Sequence, residues 1–181
     1  LGVVGVLVQA GTMNLREIVI VQNEGSIFGW DFLGNPFLFT QIIGFGLFLI
    51  ASQAELTQTP FDMPVAESEL VGGYMVEYTG FRFLFFFIGE FGTAFAFAAL
   101  AATLFLGGYA IPWIDATDGI MRFIGPGVLF AKTMAVAFLM FWVRFTYPRL
   151  REDQLQALAW KYLIPIGLAN ILLTGIFKVA L

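Results

Sequence analysis

Residues 83–106 read FLFFFIGEFGTAFAFAALAATLFL, a run of 24 positions with a single charge at Glu90. About 20 predominantly apolar residues carry a helix across the hydrocarbon core of a bilayer. The run is therefore predicted to be a membrane span, closed by Gly107 and Gly108. Residues 37–54, 126–145 and 162–181 read the same way. The composition agrees: 59% of residues are hydrophobic, 12% are charged and the mean hydropathy is +0.85. An ordinary soluble domain is about 45–50% apolar and about 25% charged.

Upstream of that span lies ELTQTPFDMPVAESELVGGYMVEYTGFR, residues 55–82. It holds the carboxylates Glu55, Asp62, Glu67, Glu69 and Glu77 and one base, Arg82. Charge beside lipid is costly and tends to be functional. Pro60 and Pro64 bracket Phe61-Asp62-Met63, so that piece is predicted extended or turned. Residues 65–71 have room for a helical turn or two before Gly72-Gly73. Carboxylates crowded together repel, which favours keeping a proton on at least one of them. Solvation of the whole group is the plainer alternative, but Leu70, Val71, Tyr74, Met75 and Val76 are interleaved with the acids.

Further toward the N-terminus, residues 1–8 are apolar but too short to span and read as the tail of a truncated helix. No basic segment or small-residue cleavage site marks a signal peptide there. Asn14 is placed to cap residues 14–22, a short amphipathic helix expected along the interface. Residues 23–36 form a connection, with Trp30 as an interfacial anchor. On the far side of the central span, residues 109–125 and 147–161 read as polar loops. The expected fold is thus all-α: a polytopic membrane helical bundle with four complete transmembrane helices, one truncated helix and one interfacial helix. Residues 1–181 form a single transmembrane domain, expected to be a fragment of a longer subunit.

Lys and Arg near span ends set orientation. Arg82, Arg144, Arg149, Arg151 and Lys161 fall on the side of the acidic loop, against Arg16 and Arg122 on the other. The 55–82 and 147–161 segments are therefore expected on one cytoplasmic or matrix face. Glu90 either pairs with a base near that face or is a buried acid in a proton relay, with Gly89 and Gly92 leaving room for a helix or water. Lys132 either snorkels or acts as an internal base. Arg144, Arg149, Arg151 and Asp153 suit a topology-setting, headgroup-facing cluster. The chain has no Cys and no His. That excludes thiolate iron–sulfur ligation, disulfides and imidazole chemistry, leaving carboxylates, Lys, Tyr and water to handle protons. With a net charge of −4 and no basic aromatic patch, nucleic acid is not an expected partner.

Residues 54–83, AELTQTPFDMPVAESELVGGYMVEYTGFRF, closely resemble the family of quinone-site membrane subunits of respiratory complex I, the proton-pumping NADH:quinone oxidoreductase. Residues 143–165, VRFTYPRLREDQLQALAWKYLIP, resemble the segment after that family's penultimate helix, and 103–108, TLFLGG, is a weaker match. The resemblance implies the C-terminal half of an eight-helix subunit in a prokaryotic plasma membrane or the mitochondrial inner membrane. It implies a wall of the quinone chamber of a proton-translocating NADH:quinone oxidoreductase, a subunit with no redox centre that is not catalytic alone. Quinone is then the substrate, while iron–sulfur clusters and flavin reside in hydrophilic partner subunits and antiporter-like subunits adjoin in the membrane. By matching positions, Glu55, Asp62, Glu67, Glu69, Glu77 and Arg82 belong to the chamber and loop. Glu90 and Lys132 belong to the proton path, and Arg144, Arg149, Arg151 and Asp153 to the second motif. The chain departs from the family in having Gln58 where Arg is usual, Met75 where His is usual, and Val65 where an acid is often found. Related coenzyme F420-dependent, ferredoxin-dependent and hydrogenase complexes share parts of the motif and supply the alternative, a membrane anchor without a quinone site. A secondary transporter and a purely structural anchor are the remaining readings.

Overall fold

The computed structural model describes residues 1–25, 35–63, 73–111, 114 and 119–180. Glu67, Glu69, Trp30 and the 65–71 helical turn lie outside the described residues. The described chain is all-helical apart from an isolated bridge between Ile111 and Ile114. The helices are α1 (Gly2–Ala10), α2 (Leu15–Glu24), α3 (Phe37–Thr40), α4 (Ile42–Glu55), α5 (Phe81–Phe105), α6 (Met121–Thr146), α7 (Glu152–Leu158) and α8 (Ile164–Ala180). A π-helical turn, Ala159–Leu163, joins the last two.

Helix α5 has 25 residues. At about 1.5 Å per residue it is long enough to cross the roughly 30 Å hydrocarbon core. Ala94, Ala98, Ala101 and Ala102 lie buried on one stripe of it, while Phe81, Phe85 and Ile88 are exposed on others. Helix α6, 26 residues long, lays Val136, Ala137 and Met140 against that stripe. Lipid removes the usual hydrophobic gain between helices, so small side chains that allow close contact drive such packing. The exposed phenylalanines suit acyl chains.

Among the described residues, three helical stretches have the length and apolarity of spans: Phe81–Phe105, Met121–Thr146 and Glu152–Val179. The last two begin earlier than expected. Helix α6 begins at Met121 and takes Pro126 into its second turn. The 147–161 segment, expected as a loop, turns helical at Glu152. The Arg151 N–H donates to Gln154 Oε1 at 3.2 Å, and Glu152 and Asp153 occupy the first turn. Acids there oppose the positive end of the helix dipole, so charge that resembled a loop starts a helix. The π-helical turn ends two residues before Pro165, which has no N–H to return to the preceding turn.

The first expected span, 37–54, is broken at Gln41, whose φ of −119° and ψ of 36° leave the helical region. The 14 residues of α4 that follow make about 21 Å of helix. Helices α1 and α2 bend by 66° at their junction. Gly11 allows this with φ +75°, its N–H bonding Leu7 O at 2.9 Å. Asn14 caps α2 as expected, its side chain accepting from the Arg16 N–H at 3.1 Å. The apolar face of α2 is covered by protein: Ile18 joins Val6, Phe37, Leu104 and Phe105 in a buried cluster. Helix α1 also packs tightly on α4. A Cβ at Gly2 would sit 2.8 Å from Gly44 O, so the backbones meet where side chains are absent.

Candidate functional site

Glu90 lies in the third turn of α5, on the half nearest the acidic loop. Arg144 is in the last turn of α6, where a cation complements the negative end of the helix dipole. These helices run antiparallel against each other, so the last turn of one reaches the first turns of the other. Arg144 NH1 donates to Glu90 Oε1 at 3.1 Å. The Gln58 amide Nε2 donates to the same oxygen, also at 3.1 Å. The Glu90 and Arg144 side chains are 22% and 28% exposed, whereas Gln58 is only 2% exposed. Glu90 is thus both paired with a base and partly buried. No other helix approaches through the flanking glycines: a Cβ on Gly89 or Gly92 would meet nothing within 4 Å among the described residues.

Gln58 is held in place by the turn that follows α4. Its N–H donates to Gln53 O at 3.3 Å, and its own carbonyl accepts from the Phe61 N–H at 2.7 Å. Leu56 and Phe61 are buried on either side. One turn earlier, the buried Gln53 donates through Nε2 to Met140 O at 2.7 Å, fastening the end of α4 to α6. The acidic segment is also fastened from outside, because the Leu150 N–H donates to Pro60 O at 3.0 Å. The two segments expected to share a face are thus joined by a backbone hydrogen bond two residues from Gln58 and two from Asp62.

The other expected residues are distributed as follows. Glu55 ends α4 and is exposed. Asp62 and Arg149 are partly buried near the Pro60–Leu150 contact. Glu77 and Arg82 are exposed at the approach to α5 and in its first turn. Arg151 pairs with Asp153 at 3.3 Å, with the side chains 81% and 67% exposed, where such pairs contribute little. Lys132 is elsewhere. Its Nζ donates to Leu106 O and Ala110 O, both at 2.8 Å, at the far end of α5. Twelve positions of α6 separate Lys132 from Arg144, about 18 Å along the axis. The structure therefore gathers Glu90 and Arg144 and leaves Lys132 at the opposite end.

Several functional candidates are neutral amides. Gln58 and Gln53 anchor the acidic end. Gln22 is buried at the other end and donates to Thr103 O and Leu104 O at 3.2 Å while accepting from the Phe37 N–H at 3.3 Å. Gln41, at the helix break, donates to Thr174 Oγ1 at 2.8 Å and accepts from Asn170 Nδ2 at 2.9 Å, which ties α4 to α8. The sequence signal for all of them is an amide inside or beside an apolar run, where an unpaired polar group is expensive and so demands a partner.

The arrangement can hold a carboxylate at the boundary of an apolar bundle and connect its hydrogen bonds to the neighbouring loop. Charge-assisted bonds of this kind are among the stronger ones in proteins. Among the described residues no cluster of acids has the makings of a metal site.

The sequence profile of the NADH dehydrogenase family matches residues 1–175. The chain is 47% identical over 178 residues to the NADH-quinone oxidoreductase H subunit of Brevibacillus brevis, covering 97% of this chain and 48% of that protein. It is 46% identical over 179 residues to the NADH-quinone oxidoreductase H subunit of Bacillus cereus, covering 98% of this chain and 49% of that protein. The protein of the same name from Bacillus thuringiensis gives the same identity and coverage. The chain spans about half the length of the curated relatives it matches. With an all-helical bundle of bilayer-spanning length and a match over nearly every residue, this membrane protein belongs to the NADH dehydrogenase family.

Proposed function

We propose that the chain is part of the membrane subunit of a proton-translocating NADH:quinone oxidoreductase, in a bacterial plasma membrane. In this reading it walls the quinone chamber and links quinone reduction to proton movement. The observation that carries it is the Gln58–Glu90–Arg144 cluster, which ties a membrane-embedded carboxylate to the acidic loop by hydrogen bonds of 3.1 Å. Relatives named for NADH-quinone oxidoreduction give the reaction class.

Reducing a quinone to a quinol takes two electrons and two protons. The chain has neither Cys nor His for a redox metal, so the electrons come from clusters in partner subunits. The chain itself contributes the chamber wall and the acids. In this reading the loop carboxylates Glu55, Asp62, Glu67, Glu69 and Glu77, with Arg82, serve the quinone headgroup. Charge change at the headgroup alters the electrostatic cost of protons on these acids. The segment from Gln58 to Pro60 carries that change to Glu90, and Lys132 is the next charged group along the α5–α6 pair. Arg144, Arg149, Arg151 and Asp153 hold the face to which the hydrophilic subunits dock.

The test is quinone-dependent electron transfer with proton uptake, measured on the intact complex in liposomes. Inhibition of both by a quinone-site blocker supports the chamber. Electron flow that ignores quinone and blocker contradicts it and favours an anchor in a hydrogenase-type complex.

A further inference from the structure

Gln58 offers Glu90 more than a second hydrogen bond. A carboxylate oxygen can only accept, so the amide turns its NH₂ toward Glu90 Oε1, at 3.1 Å. That leaves the other end of the same amide, Gln58 Oε1, buried and without a hydrogen-bond partner among the described residues. A buried acceptor left without a partner is costly. The requirement reverses when Glu90 gains a proton. A carboxylic acid carries an O–H that needs an acceptor, and half a rotation of the amide about its last side-chain bond presents Oε1 where Nε2 was. An amide is neutral and carries donor and acceptor on one rotor; a guanidinium carries donors only.

We propose that Gln58 is a positioning residue for Glu90, an amide rotor that donates to the carboxylate and accepts from the carboxylic acid. This rests on the reading of Glu90 as a proton carrier. The proton arrives on Glu90 from the acidic-loop side, the amide turns, and on release the amide returns; no other bond is made or broken. The groups facing Glu90 suit the exchange. Among the described residues, Arg144 on α6 is the charged one paired with it. The turn after α4 offers the neutral, buried Gln58. Arg144 is partly exposed, so water can screen it when Glu90 is neutral. The rotor also sits two residues from Pro60, whose carbonyl is held by the Leu150 N–H. Movement of the loop therefore reaches the amide and, through it, the acid.

The experiment is an infrared difference spectrum, acid minus neutral, on the purified complex in liposomes. The native spectrum minus that of Glu90→Gln should show a carboxylic-acid band together with a shifted side-chain amide carbonyl band. Gln58→Met should remove the amide band alone. Gln58→Arg, which can only donate and adds a charge, should lower the protonated fraction of Glu90 about tenfold at a given pH. An amide band that stays fixed while Glu90 protonates overturns the rotor, as does a Gln58→Arg complex with an unchanged protonated fraction. The native and Glu90→Gln spectra decide the matter even where a Gln58 variant fails to assemble. Proton pumping that is normal in Glu90→Gln overturns the carrier reading instead and leaves the spectrum standing, so the two failures are distinct.

Discussion

The two ends of the α5–α6 pair answer partly buried charge in different ways. At the acidic-loop end the charge is negative and its partners are side chains, Arg144 and Gln58. At the far end the charge is Lys132 and its partners are the backbone carbonyls of Leu106 and Ala110. Side chains can rotate away, and Gln58 can serve either protonation state. Carbonyls at a helix end are fixed and can only accept. The first site has partners that can turn, and the second ties α6 to the turn in which Gly107 and Gly108 take φ of +73° and +53°. The difference lies in the partners, rotatable side chains at one end and backbone carbonyls at the other.

This comparison is sharpened first by Lys132→Met. Two carbonyls lose their donor inside an apolar bundle, and the expected cost is about 2 kcal/mol, read as a lower thermal midpoint of the purified protein. A change within about 0.5 kcal/mol, typical of a surface substitution, would make Lys132 a snorkelling residue and erase the contrast. Next, Arg144→Met should destabilise by about 1–2 kcal/mol, because it leaves Glu90 with the amide alone. Adding Glu90→Gln should restore about half of that loss, the non-additivity expected of a contacting pair. Additive losses would mean that the 3.1 Å pair is not an energetic unit. The smallest effect is expected from Arg151→Ala. Its partner Asp153 is highly exposed, so the midpoint should move by less than the equivalent of about 0.5 kcal/mol.

The bundle is legible in the sequence where composition alone decides it. The apolar run of α5 ends at charge on one side and Gly107-Gly108 on the other, and the helix follows it to within two residues. Two boundaries mislead because local chemistry has two meanings. Glu152 and Asp153 resemble a solvated loop but also favour a helix start. Gln41 does not interrupt the hydropathy pattern, yet its buried bonds to Asn170 and Thr174 accompany a break in the helix there. Those partners lie more than a hundred positions away, beyond any local pattern. The site is half legible for the same reason. Glu90 stands out as a charge in a span, but its partners are 54 positions downstream and 32 upstream. Gln58 stands out in the sequence only as a departure from a family pattern, next to Pro-Phe-Asp, and its meaning emerges when the turn after α4 places it against α5.

The central claim is that the carboxylate held by Gln58 and Arg144 carries protons. The direct measurement is proton uptake per electron by liposomes containing the assembled Glu90→Gln complex, with quinone reduction followed in the same sample. The account predicts a complex that assembles and reduces quinone while the protons carried into the liposome interior per electron fall toward zero, as expected on loss of a positioned proton-transfer group. Native proton uptake at the native rate of quinone reduction would contradict it.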